Sequence, residues 1–230
     1  IHPARTDDGQ YYEDIYISKK LSDGQWETPV PISPKINTAT HEASIGLSPD
    51  GQELYIYKDE STMLNPRDGN IYVSNLVGDE WTTPLNLNIN TKYNENHASI
   101  SADGQELFFT SDRPGGYGGL DIYIAKRLPN GEWSIPQNAG PKINTSRDEI
   151  SPYIHPDGVT LFFSSKGHNS LGGFDIFFSI RDDSMNWNEP TNLGYPINTP
   201  NDDAFYVPTP DGARAYYASQ QTGGIGRNDL

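Results

Sequence analysis

Apolar residues in this chain come in short runs, and the runs fall into two matching sets. One set is Leu54-Tyr55-Ile56-Tyr57, Leu107-Phe108-Phe109, Leu161-Phe162-Phe163 and Ala215-Tyr216-Tyr217, each following an Asp-Gly pair. The other is Ile15-Tyr16-Ile17, Ile71-Tyr72-Val73, Ile122-Tyr123-Ile124 and Ile176-Phe177-Phe178. Aromatic and β-branched residues dominate both, as suits a pleated surface. No segment sustains the 3.6-residue period of an amphipathic helix, so strands are predicted throughout. Asp-Gly between a polar strand and an apolar one is the chemistry of a hairpin turn.

The runs belong to a repeat. Ile-Asn-Thr ends at Thr38, Thr91, Thr145 and Thr199, in steps of 53, 54 and 54 residues. Each Thr is followed 12 residues later by the Asp of an Asp-Gly pair: Asp50, Asp103, Asp157 and Asp211. Trp26, Trp81, Trp133 and Trp187 close the unit, each with a Pro three residues on. Four short strands per unit of this length are the signature of a propeller blade. The loops 3–13 and 219–228 both occupy the place between strands two and three, and a ring cannot use one loop twice. The chain is therefore expected to be all-β, a β-propeller of four-stranded blades with at least five blades in the intact domain. Residues 1–230 form a single domain in this reading. Partial blades at 1–42 and 204–230 flank complete blades at 43–97, 98–150 and 151–203.

Composition narrows the function classes. With 14 Tyr, 8 Phe and 4 Trp the chain can fill a substantial core, and its 22 Gly and 18 Pro are spaced as turns rather than as a low-complexity tract. A formal charge of −15 argues against nucleic acid and against anionic membrane surfaces. No apolar run approaches the roughly 18 residues of a membrane span. The absence of cysteine removes disulfides, thiolate metal sites and cysteine nucleophiles. The start at Ile1 without Met reads as a mature or excised piece.

The repeat also resembles a known family. Residues 48–55 (SPDGQELY), 109–123 (FTSDRPGGYGGLDIY) and the Trp-x-x-Pro and Ile-Asn-Thr markers resemble the TolB-like propeller repeat, in the version found in OmpA-type outer-membrane lipoproteins of Bacteroidetes-like bacteria. The resemblance covers essentially the whole chain. It implies a periplasmic, outer-membrane-associated module that works with protein partners of the cell envelope. A flanking domain would hold peptidoglycan, and some such proteins are accessory parts of type IX secretion. Asn70 replaces the usual strand-three Asp in one unit, and Arg67-Asp68-Gly69 its Gly-Gly pair.

Candidate chemistry is sparse. Four residues after each Ile-Asn-Thr stands an acid: Glu42, Glu95, Glu149 and Asp203. At the start of an innermost strand the four would ring the mouth of a central channel, as a cation site, a substrate site or catalytic carboxylates. Their identical placement favours a second reading, in which each acid bonds nearby backbone N–H groups and ties blade to blade, because catalysis needs unlike residues in unlike roles. The Gly-rich loops at 111–120 and 165–174 have no predicted helix behind them and so make no phosphate cradle. Their glycines are expected to supply positive φ at the entry to strand three, with Asp14, Asp121 and Asp175 bracing the loops. The tryptophans are expected to be buried between blades, Trp81 and Trp133 most completely. The five histidines occupy different repeat positions, and no zinc-protease, GxSxG or EF-hand pattern occurs.

The sequence thus points to a non-enzymatic protein-interaction scaffold without cofactor or metal. Its candidate binding face is Glu42, Glu95, Glu149, Asp203, Asp112, Arg113, Tyr117 and His168. The alternative is a five-bladed glycoside hydrolase with its carboxylates at the channel mouth, which requires two unlike acids at a defined separation.

Overall fold

The computed structural model describes residues 12–60, 69–209 and 211–220. The compared loops 3–13 and 219–228 and the Arg67-Asp68-Gly69 replacement fall wholly or largely outside these residues. No helix occurs among the described residues, so none is long and apolar enough to cross a membrane.

Among the described residues seventeen strands form five antiparallel sheets in chain order. The first sheet holds β1 (Tyr16–Ile17) and β2 (Val30–Pro31). The second holds β3 (His41–Leu47), β4 (Glu53–Asp59) and β5 (Gly69–Val77), with β6 (Glu80–Trp81) and β7 (Leu85–Asn86) both on β5. The third runs β8 (Glu95–Ile100), β9 (Glu106–Ser111), β10 (Asp121–Lys126) and β11 (Gln137–Asn138). The fourth repeats it with β12 (Glu149–Ile154), β13 (Thr160–Ser165), β14 (Asp175–Ile180) and β15 (Thr191–Asn192). The fifth pairs β16 (Asp203–Pro208) with β17 (Ala215–Ser219). The first strands of successive sheets lie side by side, β3 by β8, β8 by β12 and β12 by β16, so strand one is innermost and the sheets fan out as blades. This is the all-β propeller that the repeat predicts.

The Asp-Gly turn is built by side chains. Ser101 Oγ donates to Asp103 Oδ1 and the Gln105 amide donates to the same oxygen, which holds the Asp103 carboxyl below its usual range. Gly104 turns the chain at φ +71, as Gly51, Gly158 and Gly212 do in the other units, a region closed to most side chains. The outer strand carries the Trp, but not as one continuous strand. Trp133 bridges Arg127, and the ladder resumes only at Gln137, opposite Ile124. Pro136 has no N–H to give, and the chain bulges by one residue around it.

The core lies between sheets. One cluster joins Tyr55, Ile71 and Leu87 of the second unit to Leu107, Phe109 and Trp133 of the third. Another joins Phe108, Ile122 and Ile143 to Leu161, Phe177 and Trp187. Trp133 and Trp187 therefore pack back onto the preceding blade, as Trp81 does against Ile15 and Ile36. Trp133 and Trp187 are 3% and 7% exposed, whereas Trp81 is only half-buried and Trp26 is 64% exposed. The expectation that all four are buried, with Trp81 among the deepest, is corrected. What matters is the blade before each Trp, and among the described residues no sheet precedes Trp26.

Candidate functional site

Each letter of Ile-Asn-Thr has its own task. Ile36, Ile89 and Ile143 are buried in the inter-blade core. The Asn side chain acts as a substitute strand partner: Asn144 Oδ1 accepts from the Ile122 amide at 2.8 Å and its Nδ2 donates to the Ile122 carbonyl at 2.9 Å. Asn37, Asn90 and Asn198 do the same to Ile15, Ile71 and Ile176. The Thr binds the acid four residues on.

That bond decides the role of the four acids. The Thr91 amide donates to Glu95 Oε2 at 2.8 Å, while Glu95 Oε1 accepts from Thr91 Oγ1, Ser111 Oγ and Arg113 Nη2 at 2.9, 2.8 and 3.0 Å. Glu149 has the matching bonds from Thr145 and Ser165, and burial pushes its carboxyl above the usual range despite them. Asp203 takes Thr199 and Ser219, and Glu42 takes Thr38, Thr40 and Lys58. All four are at most 1% exposed. Glu42, Glu95, Glu149 and Asp203 are thus sealed and saturated where one unit joins the next, as the second reading expects, and the reading that places them on an open mouth is corrected. A glycosidase pair must face its substrate, one member donating a proton and the other attacking or activating water. These four cannot.

A basic residue covers this lock in three units. Lys58 lies over Tyr72 at 5.7 Å, and Arg113 over Phe109 and Tyr123 at 5.1 and 5.0 Å. Arg113 Nη2 also donates to the Ile89 carbonyl at 3.0 Å. His168 packs on Phe163 and Phe177 and places Nε2 3.0 Å from the corresponding Ile143 carbonyl. Arg113 is therefore a supporting group rather than a free ligand, although His168 keeps an exposed face. Asp112, half-buried, accepts from the Asn94 amide at 2.8 Å.

The loops beside them are held rigidly. Asp121 Oδ2 accepts from the Tyr117 amide and from Asn138 Nδ2, and Oδ1 from the Gly118 amide. Asp175 accepts from the Leu171 amide and Asn192 Nδ2 in the next unit. The brace expected of Asp121 and Asp175 is present. The glycines differ from expectation: neither Gly118 nor Gly172 has positive φ. A Cβ at Gly118 would sit 1.9 Å from the Arg147 carbonyl oxygen, and one at Gly172 2.1 Å from that of Pro200. They are glycines because the following blade's backbone presses against them.

A second site lies on the axis and was not singled out from the sequence. A cavity of about 610 Å³ is walled by β3, β8, β12 and β16, and runs from a bulge in those strands toward the Asp-Gly turns at Pro49, Ala102 and Pro156. The bulge falls between Asn96 and Ser99, between Ile150 and Tyr153, and between Ala204 and Val207. It puts His97, Ser151 and Phe205 at φ +44, +54 and +59. The rings of His97 and Phe205 meet edge to face, with centroids 5.1 Å apart. His97 Nδ1 and Ser151 Oγ are sealed from solvent without a partner. Burial pulls the His97 imidazole down to a pKa of about 4, so it is neutral at physiological pH. The signal was present in the sequence: two residues after each acid, a nearly uniform repeat reads Ser44, His97, Ser151 and Phe205.

No protein-family model matches the chain, and no curated protein matches it. Among solved structures it is similar to TolB from Acinetobacter baumannii, with 18% identity, a TM-score of 0.55, and coverage of 91% of this chain and 44% of that one. It is also similar to α-L-arabinofuranosidase from Lactobacillus brevis, with 13% identity, a TM-score of 0.53, and 92% and 85% of the two chains covered. A third likeness is to the S511A mutant of puromycin hydrolase complexed with PGG, with 14% identity, a TM-score of 0.50, and 90% and 33% covered. The chain spans less than half the length of TolB. Two of these neighbours are enzymes, so the expectation of a non-enzyme is corrected: proteins that share this fold include enzymes. What the likenesses share with the repeat, the fanned sheets and the inter-blade core is one architecture, and the chain has a TolB-like β-propeller fold.

Proposed function

We propose that this chain is a protein-interaction module of the bacterial cell envelope that meets its partner on the face carrying the loops between strands two and three. The observation that carries the proposal is a pair of side chains. Tyr117 and Leu171 occupy the same repeat position and are 51% and 55% exposed, and their amides are fixed to Asp121 and Asp175 at 2.5 and 2.6 Å. Large apolar groups on loops already held in place lose little freedom on binding, which favours affinity. The periplasmic, outer-membrane-associated setting rests on the sequence resemblance and on the likeness to TolB. The OmpA-type lipoprotein, peptidoglycan and type IX secretion context rests on the resemblance alone. A net charge of −15 favours a partner with a basic surface, and salt should slow association more than it speeds release.

The test uses exposed residues, since reversing the charge of buried Glu95 or Glu149 would break the fold instead. Immobilised protein should retain a specific protein from an envelope extract. A Tyr117→Ser/Leu171→Ser variant with unchanged melting temperature should retain at least tenfold less of it. Ile135→Ser, at a residue 89% exposed, should retain it fully. Equal retention by the double variant overturns the assignment of this face.

A further inference from the structure

We propose that the axial cavity is a binding site for a neutral aromatic small molecule, which packs against Phe205 and hydrogen-bonds to His97. The site is separate from the loop face, because its walls run toward the opposite, Asp-Gly end of the blades.

Four observations lead to this ligand class. The cavity volume, about 610 Å³, lies within the roughly 300–1,000 Å³ of small-molecule sites. Although the chain carries a net charge of −15, no Asp, Glu, Lys or Arg lines the cavity among the described residues. A charged ligand would lose its hydration there and gain no counter-charge. The walls are apolar, with Leu47, Ile100, Phe205 and Val207 among them. The polar contribution is small and localised. Ser151 is 6% exposed with its hydroxyl unpartnered, and His97 has its Nδ1 sealed while the residue as a whole is half-buried. That leaves Nε2 as the imidazole nitrogen a ligand can reach. Few, convergent polar groups in an apolar cavity are what fix a small ligand's orientation.

The backbone supports the same conclusion. Non-glycine residues at positive φ are uncommon, and for a side chain as large as Phe the conformation is costly. Phe205 adopts it, and its ring meets His97 across the intervening β12. Ser151 makes the same bulge with a small side chain, so the Phe205 ring is not needed to form it.

Three probes that differ mainly in charge test the proposal near pH 7: neutral N-acetyl-tryptophanamide, anionic N-acetyl-tryptophan and cationic tryptamine. Binding is followed through the ring resonances of the five histidines in ¹H–¹³C spectra of the whole chain. The neutral probe should shift His97 saturably, and more than any other histidine, while each charged probe binds at least tenfold more weakly. Phe205→Asn tolerates positive φ and preserves the bulge; it should weaken the neutral probe at least tenfold with no fall in melting temperature. The Tyr117→Ser/Leu171→Ser variant should bind the probe as the unaltered protein does, which separates this site from the loop face. No shift at His97 up to the solubility of the neutral probe overturns the proposal. Equal binding of all three probes, or undiminished binding by folded Phe205→Asn, does so as well.

Discussion

Trp133→Ala is expected to destabilise the protein by about 3–5 kcal/mol, whereas Trp26→Ala should cost less than about 0.5 kcal/mol. The two residues share a repeat position and differ in what lies before them. Trp133 is 3% exposed, packs among Tyr55, Ile71 and Leu87 of the preceding unit, and lies under the Arg127 guanidinium at 5.1 Å. Its amide and carbonyl are both held by the Asn88 side chain, at 3.1 and 2.7 Å. Truncation would open a cavity between two blades that cannot close without moving a sheet. Trp26 is 64% exposed, with the Lys20 ammonium 5.8 Å from its ring. Urea titration of the two variants reads the difference directly. Similar losses for both would show that the inter-blade contact is not what the Trp provides.

Glu95→Ala is expected to cost a further independent 3–5 kcal/mol or so, the range found when one member of a buried ion pair is removed. The Arg113 side chain, 14% exposed, would lose its counter-charge, and the Thr91 amide and Ser111 hydroxyl would lose their acceptor. A buried donor left without a partner costs about 1–3 kcal/mol by itself. The exposed pair Lys35–Glu80 makes the contrast: its N–O distance is also 3.0 Å, yet Glu80→Ala should change stability by less than about 0.5 kcal/mol. A loss below about 1 kcal/mol for Glu95→Ala, measured by the same titration, would mean that the acid is not holding the Ile-Asn-Thr connection.

Much of this architecture can be read from residue spacing. The repeat places Asp103-Gly104 in a hairpin, Leu107 to Phe109 in an apolar strand and Glu95 at the start of the innermost strand, and the structure has each of them there. What the spacing does not carry is the neighbour. Trp81 and Trp133 look alike in sequence, and what separates their burial is the preceding unit, two short strands among the described residues for Trp81 and a full sheet for Trp133. Gly118 and Gly172 look like positive-φ residues until the next blade's carbonyl is in view. The burial of Glu95 and Glu149 follows from the following loop and strand two closing over them, which a one-dimensional pattern cannot show. His97 and Phe205 were legible only as departures from a repeat. Their meeting across β12 depends on a bulge that no local signal announces.

The central claim is that the repeated acids are sealed locks and that binding belongs to the variable positions around them. Amide hydrogen exchange at Thr91, Thr145 and Thr199 tests it most directly, because these are the N–H groups that the acids cap. Exchange as slow as that of core amides in β9 and β13, unchanged by added calcium or a polyamine, is the expected result. Fast exchange at these amides, or protection that appears only with the cation, would put the acids on an open mouth and contradict it.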